Sequence, residues 1–217
     1  MRRPLVLAHR GASRAARENT PEAFLLALAL GADGVELDVR RAMRGALVVH
    51  HDLVLDGTPV RGLSKPPLPS LAVALNASSG GLVDIELKTD GDIPEAAATT
   101  LCSYLRRRNR HDRLLASSFD PVALRTMRAL RPDIPTALVV EQEQELGAAL
   151  SEAARAGHEA LHPDWRLVDR ALVKRARALG LAVRAWTVND ADELRRLAKL
   201  GVDALITDVP DVALAVL

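Results

Sequence analysis

Glu36 and Asp38 stand two residues apart in Gly31-Ala-Asp-Gly-Val-Glu-Leu-Asp-Val39, and Glu86 and Lys88 repeat that spacing in Asp84-Ile-Glu-Leu-Lys88. Side chains alternate along a strand, so the members of each pair share one face. Acids brought together in an apolar setting need a cation or a proton. Glu36, Asp38 and Glu86 therefore describe an all-oxygen site for a hard divalent cation, magnesium or calcium. Zinc sites use more nitrogen and sulfur. The competing arrangement is a salt-bridge layer in which Lys88 and Arg10 neutralise the acids.

His9 and His51 are the acid-base candidates, because imidazole titrates near neutral pH. With Arg10 and Lys88 beside them, the set is cationic and suits phosphate, whose oxygens an arginine grips in a fork. Trp186 offers an apolar wall to the alcohol part of a substrate, or else fills core space.

These residues need a scaffold that collects strand ends. The chain reads as eight short apolar strands, each followed by a helix. The strands are Leu5 to Ala8, Val35 to Val39, Leu82 to Leu87, Leu114 to Ser117, Thr136 to Val140, Glu159 to His162, Ala182 to Thr187 and Ala204 to Thr207. An extra strand runs from Ala46 to His50. The helices are expected over Pro21–Leu30, Pro69–Ala77, Pro94–Arg108, Pro121–Leu130, Leu146–Ala156, Val168–Leu179, from Asn189 or Asp190 to Leu200, and Pro210–Leu217. Thr20 is placed to cap the first, with Pro21 at its first position. Residues 53 to 67 read as a loop. Short apolar strands alternating with helices indicate a parallel buried sheet. Eight such units close naturally into a (β/α)8 TIM barrel occupying residues 1–217 as one domain, since closure leaves no edge. An open doubly wound sheet is the fallback, although no glycine-rich dinucleotide loop follows the first strand. In a barrel the site lies at the carboxyl ends of the strands. His9, Arg10, Glu36, Asp38, His51, Glu86, Lys88, Ser117, Ser118, His162, Trp186, Asn189, Thr207 and Asp208 all fall there.

Composition narrows the class. Twenty-nine basic and 28 acidic residues among 217 give a formal charge of +1, which provides no general drive toward nucleic acid or anionic membrane. The single cysteine, Cys102, excludes an internal disulfide framework and reads as a small buried filler. Leu5 to Ala8 is too short for a signal-peptide core or a membrane span, so a cytoplasmic location is expected.

The series His9-Arg10-Gly11, Glu18-Asn19-Thr20, Gly31 to Val39 and His51-Asp52 resembles the glycerophosphodiester phosphodiesterase family. So do the later Asp84 to Lys88, Ser118-Phe119-Asp120, Ala185 to Asn189 and Gly201 to Asp208. The match spans nearly the whole chain, and its order is more specific than any one motif. The resemblance implies a TIM barrel that hydrolyses glycerophosphodiesters with a divalent metal. It places the metal ligands on Glu36, Asp38 and Glu86, and the catalytic histidines on His9 and His51. Arg10 and Lys88 match phosphate-contacting positions, Asn19 a polar residue at the site, and Trp186 a substrate-lining aromatic. It implies a small-molecule partner, with no nucleic acid and no stable membrane insertion, and is compatible with a homo-oligomer. Residues 53 to 67 are too few for the subdomain that many members insert there. Arg44 and Gly57 replace a usual aspartate and a usual arginine, which bears on substrate range. Related barrel phosphodiesterases acting on lipids, or a non-catalytic phosphate-binding barrel, are the alternatives.

Overall fold

A computed structural model describes residues 3–108, 113–141 and 145–217. Eight parallel strands form its centre: β1 (Leu5–His9), β2 (Gly34–Arg41), β6 (Leu82–Leu87), β7 (Arg113–Ser118), β8 (Thr136–Val140), β9 (Ala160–Pro163), β10 (Ala182–Ala185) and β11 (Ala204–Thr207). Each pairs with the next in chain order. The ring closes because β1 also pairs with β11, Leu5 opposite Ala204 and Ala8 opposite Thr207. This is the closed (β/α)8 barrel, not the open sheet.

The eight α-helices among the described residues are α1 (Pro21–Ala29), α2 (Leu71–Ala77), α3 (Pro94–Arg107), α4 (Pro121–Leu130), α5 (Leu146–Ala156), α6 (Arg170–Ala178), α7 (Ala191–Leu200) and α8 (Pro210–Val216). Their starts follow from local chemistry. The Thr20 side chain accepts from the Ala23 N–H ahead of Pro21, Asp120 caps α4, and Asp190 rather than Asn189 caps α7. An N-cap of this kind is worth about 0.5–2 kcal/mol. Helix α6 begins two residues later than expected because Asp169 takes the cap position, while Trp165–Leu167 forms a 3-10 turn.

Two differences from expectation shape the site. Strand β2 runs on to Arg41 because the short β3 (Leu47–Val49) pairs antiparallel with its end. The stretch after His51 contains a small hairpin, β4 (Val54–Leu55) with β5 (Thr58–Pro59). Asp56 and Gly57 turn it with φ of 48° and 77°, the left-handed pair that a two-residue hairpin needs and that an Asp-Gly sequence supplies.

Burial explains the layering. Apolar side chains such as Phe24, Leu37, Leu101 and Leu124 are fully buried between strands and helices, each contributing roughly 1.5–3 kcal/mol. Cys102 sits there with its Sγ 3.6 Å from the Met127 sulfur, and burial pushes its thiol pKa up. Inside the barrel, Leu7, Ala204 and Ile206 and then Leu115, Ala137 and Ala160 form small apolar groups. The polar residues lie toward the carboxyl ends. No helix among the described residues is long and apolar enough to cross a membrane.

Candidate active site

Glu36, Asp38 and Glu86 converge on one point. Their strands are neighbours, with Asp38 directly opposite Glu86. Each offers an oxygen, and these oxygens lie within 4.8 Å of one another. Glu36 and Asp38 are buried.

Both cations of the competing salt-bridge layer are present. Lys88 Nζ lies 2.7 Å from Glu86 and 3.6 Å from Asp38, and Arg10 Nε lies 3.1 Å from Asp38. They leave the layer incomplete. Glu36 Oε1 and Asp38 Oδ1 are buried without a hydrogen-bond partner. Burial lifts the Glu36 carboxyl well above its ordinary range, and the nearby Asp38, Glu86 and Asp84 add to this. Against the same burial, Lys88 and Arg10 hold Asp38 low. Glu86 is raised, by burial and by Asp38. Unpaired buried carboxylate oxygens crowded together are the donor set of a hard divalent cation. The residues present fit such an ion.

The backbone around the triad is bent to serve it. Arg10 has a φ of 56° and Asn19 of 57°, conformations that non-glycine residues adopt at a cost of order 1–3 kcal/mol. The bend turns the Arg10 N–H onto Glu36 Oε2 at 3.0 Å and the Arg10 carbonyl onto the Asn19 N–H at 2.9 Å. Gly11 follows at φ 84°, where a Cβ would come within 2.6 Å of the Ala23 backbone. The His9-Arg10-Gly11 run is thus a backbone requirement as well as a set of side chains. Asn19 is buried and spends its amide on Asp38. Its Nδ2 donates to Asp38 Oδ2 at 2.8 Å, and its Oδ1 accepts from the Asp38 N–H at 3.3 Å.

The histidines flank the acids. His9, at the end of β1, stands opposite Glu36 in register, with Nε2 4.0 Å from Glu36 Oε2. His51 follows β3, which is paired to the end of β2. It lines a cavity of about 410 Å³ beside the triad, together with Glu86, Lys88, Phe119 and Glu141. Trp186 packs edge-on against Phe119, centroids 5.6 Å apart, and its indole N–H donates to the His162 carbonyl at 2.8 Å.

Four further residues contribute: Asp208 and His162 were expected among the strand-end residues but given no role, and Arg40 and Asp84 were not singled out. Asp208 accepts from His9 Nδ1 at 2.7 Å. Arg40, buried on the cavity wall, donates from Nε to the His51 carbonyl at 2.9 Å and from Nη2 to Asp90 at 3.0 Å. Asp84 and His162 lie inside the barrel below the triad. The alternation Glu36, Asp38, Arg40 on one strand would have pointed Arg40 inward.

Residues 9–66 and 83–212 match the model of the glycerophosphoryl diester phosphodiesterase family. The chain belongs to that family. This phosphodiesterase chain is 29% identical over 232 residues to the glycerophosphodiester phosphodiesterase of Caldanaerobacter subterraneus subsp. tengcongensis, covering 95% of each. A phosphodiesterase from Oleispira antarctica, solved in complex with the product sn-glycerol-3-phosphate, matches with a TM-score of 0.88 and 28% identity, over 99% of this chain and 96% of that one. The glycerophosphodiester phosphodiesterase structure from Parabacteroides distasonis matches with a TM-score of 0.87 at 23% identity, over 99% and 96%, and speaks to the fold. The chain is an enzyme of this family in its compact form. Between β3 and α2 it carries only the small hairpin and a 3-10 turn, Val60–Gly62.

Proposed function

We propose that this enzyme hydrolyses glycerophosphodiesters to glycerol 3-phosphate and an alcohol, with His9 and His51 moving the protons. The observation that carries the reading is the incomplete charge layer, in which three carboxylates gather between two histidines and two buried oxygens lack a hydrogen-bond partner. The product held by the Oleispira relative supports the same chemistry. Glu36, Asp38 and Glu86 would hold magnesium or calcium, which when bound neutralises phosphate charge and lowers the pKa of a hydroxyl.

The protein's own groups do the rest. Arg10 and Lys88 reach over the acids and are placed to take phosphate oxygens. One histidine removes the proton of the attacking hydroxyl, and the other gives a proton to the leaving alcohol. Water and the glycerol's own neighbouring hydroxyl need the same two transfers; the second would pass through a cyclic phosphate that water then opens. Asp208 fixes the His9 tautomer and steadies the imidazolium as it forms, a part that aspartate plays beside other catalytic histidines. Asn19 positions Asp38. Trp186 and Phe119 wall the alcohol. A cytoplasmic location fits a chain whose one cysteine is a buried free thiol.

A second substrate class is favoured by one observation. Leu53, on the cavity wall, exposes 39% of its surface, and Val54, next to it in the chain, exposes 43%. An apolar lip suits a phosphodiester that keeps an acyl chain.

The deciding experiment strips the metal, restores magnesium or calcium, and follows glycerol 3-phosphate from glycerophosphocholine and glycerophosphoethanolamine. Lysophosphatidylcholine is the lipid arm, followed by choline release because its hydrolysis leaves an acylated glycerol 3-phosphate. Chelator-sensitive release is expected, and Glu36→Gln should abolish it without unfolding. Full activity in metal-free buffer would remove the metal from the reading. Release from the lysolipid alone would move the substrate to lipids.

A further inference from the structure

Asp84 lies two residues before Glu86 on the same interior face of β6, one layer deeper in the barrel. It is fully buried. Its Oδ1 accepts from Ser117 Oγ at 2.7 Å. Its Oδ2 faces His162 Nδ1 at 3.4 Å but makes no hydrogen bond. His162 is 1% exposed, and its Nε2 is also without a partner. Both residues line a chamber of about 20 Å³ whose walls also include Glu36, Val139, Trp186 and Ile206. Glu36 contributes the third orphaned atom, Oε1.

Leaving a buried polar atom unsatisfied is costly, and native interiors pair nearly all of them. Apolar cavities stay dry, whereas a polar one with room above about 10–15 Å³ takes a water with two to four partners. This chamber meets both conditions. Burial, with Arg184 adding to it, holds His162 well below its ordinary value, so the ring is neutral and offers one donor and one acceptor.

We infer that the chamber holds one ordered water, through which His162 positions Glu36 beneath the metal site. The inference rests on the reading of Glu36 as a metal ligand. With Nδ1–H turned toward Asp84, Nε2 accepts from the water, and the second water hydrogen reaches the Glu36 carboxylate. Trp186 steadies this from above by its hydrogen bond to the His162 carbonyl. His162 is therefore a positioning residue that touches no substrate. Partners of metal-ligating carboxylates commonly alter metal affinity about 10–100-fold.

The test combines a high-resolution crystal structure with calcium and magnesium titration by calorimetry on the wild type, His162→Leu and His162→Gln. Wild-type density is expected for one water within hydrogen-bond distance of His162 Nε2 and Glu36. His162→Leu should empty the chamber and weaken metal binding about tenfold, with a turnover deficit that shrinks as metal rises. His162→Gln, which keeps a polar tip, should recover most of the affinity. A dry wild-type chamber overturns the inference, as does leucine at 162 with undiminished metal affinity. If His162→Leu does not fold, the wild-type density and the glutamine variant decide. A wild type that binds neither metal defeats the metal reading instead, and the density alone then judges the water.

Discussion

His9 and His51 each hold an aspartate at Nδ1, but the two pairs are built differently. Asp208 comes from the far end of the chain, brought to His9 by the closure of β1 on β11. Two further side chains grip it: Ser13 Oγ donates at 3.0 Å and Asn189 Nδ2 at 2.6 Å. Asn189 Oδ1 also accepts from the Asp208 N–H at 2.9 Å. Against partial burial, these bonds, led by that to His9, take the Asp208 carboxyl down to about 2. Asp52 is the next residue after His51, with its side chain 70% exposed and its oxygen 2.9 Å away. Arg40 anchors the His51 backbone, but among the described residues the ring's hydrogen bond is to that neighbour. One histidine is therefore oriented by tertiary structure before substrate arrives, and the other keeps rotational freedom that binding must remove. Exposed pairs contribute about 0–1 kcal/mol, whereas a ring held by a triply bonded carboxylate does not reorient without breaking several contacts.

Replacing the rings themselves should have the largest effect. His9→Ala and His51→Ala are each expected to lower kcat about 10²-fold or more, measured where chemistry limits the rate; near-normal turnover would strip that residue of its role. Removing the supporting charges separates the two sides. Asp208→Asn should cost about 10-fold or more in kcat with little change in KM, because the ring loses its fixed tautomer.

Asp208 should also appear in acid stability. Its folded carboxyl is depressed below 3.8 to about 2, so its contribution is complete above the unfolded value and disappears as pH falls from about 3.8 through about 2. That contribution is about 1–2 kcal/mol after allowance for partial exposure. Urea midpoints of the wild type should drop more steeply over this window than those of Asp208→Asn. The smallest effect is expected from Asp52→Asn, a change in kcat of less than about threefold, consistent with an exposed pair. Equal penalties at Asp52 and Asp208 would erase the distinction between the two sides.

What sequence reading recovered here is mostly what is local. Glu36, Asp38, Glu86 and Lys88 were visible because period-two spacing on an apolar strand fixes which side chains share a face. Strands β6 and β8 and helices α4 and α5 were placed almost to the residue by apolar runs, Pro, Gly and capping Asp. The Asp56-Gly57 turn carried a readable signal for its hairpin that the proline-rich surroundings masked. The bond between His9 and Asp208 joins residues 199 positions apart, and no local pattern encodes which carboxylate reaches which ring. Depth was also hidden. His162 stands at a strand end in sequence, yet it lies inside the barrel because β9 is short and its even-numbered residues face the axis. Asn19 was expected at the site, but its bonds to Asp38 depend on the left-handed backbone at two successive bends.

The seam between β1 and β11 has a consequence for the history of each molecule. Position 208 leaves the ribosome 199 residues after position 9, so at about 5–20 residues per second the first histidine waits roughly 10–40 s for its aspartate. A nascent chain holds all three acids long before His9 has its aspartate. The aspartate that orients His9 therefore arrives with the same strand that closes the ring.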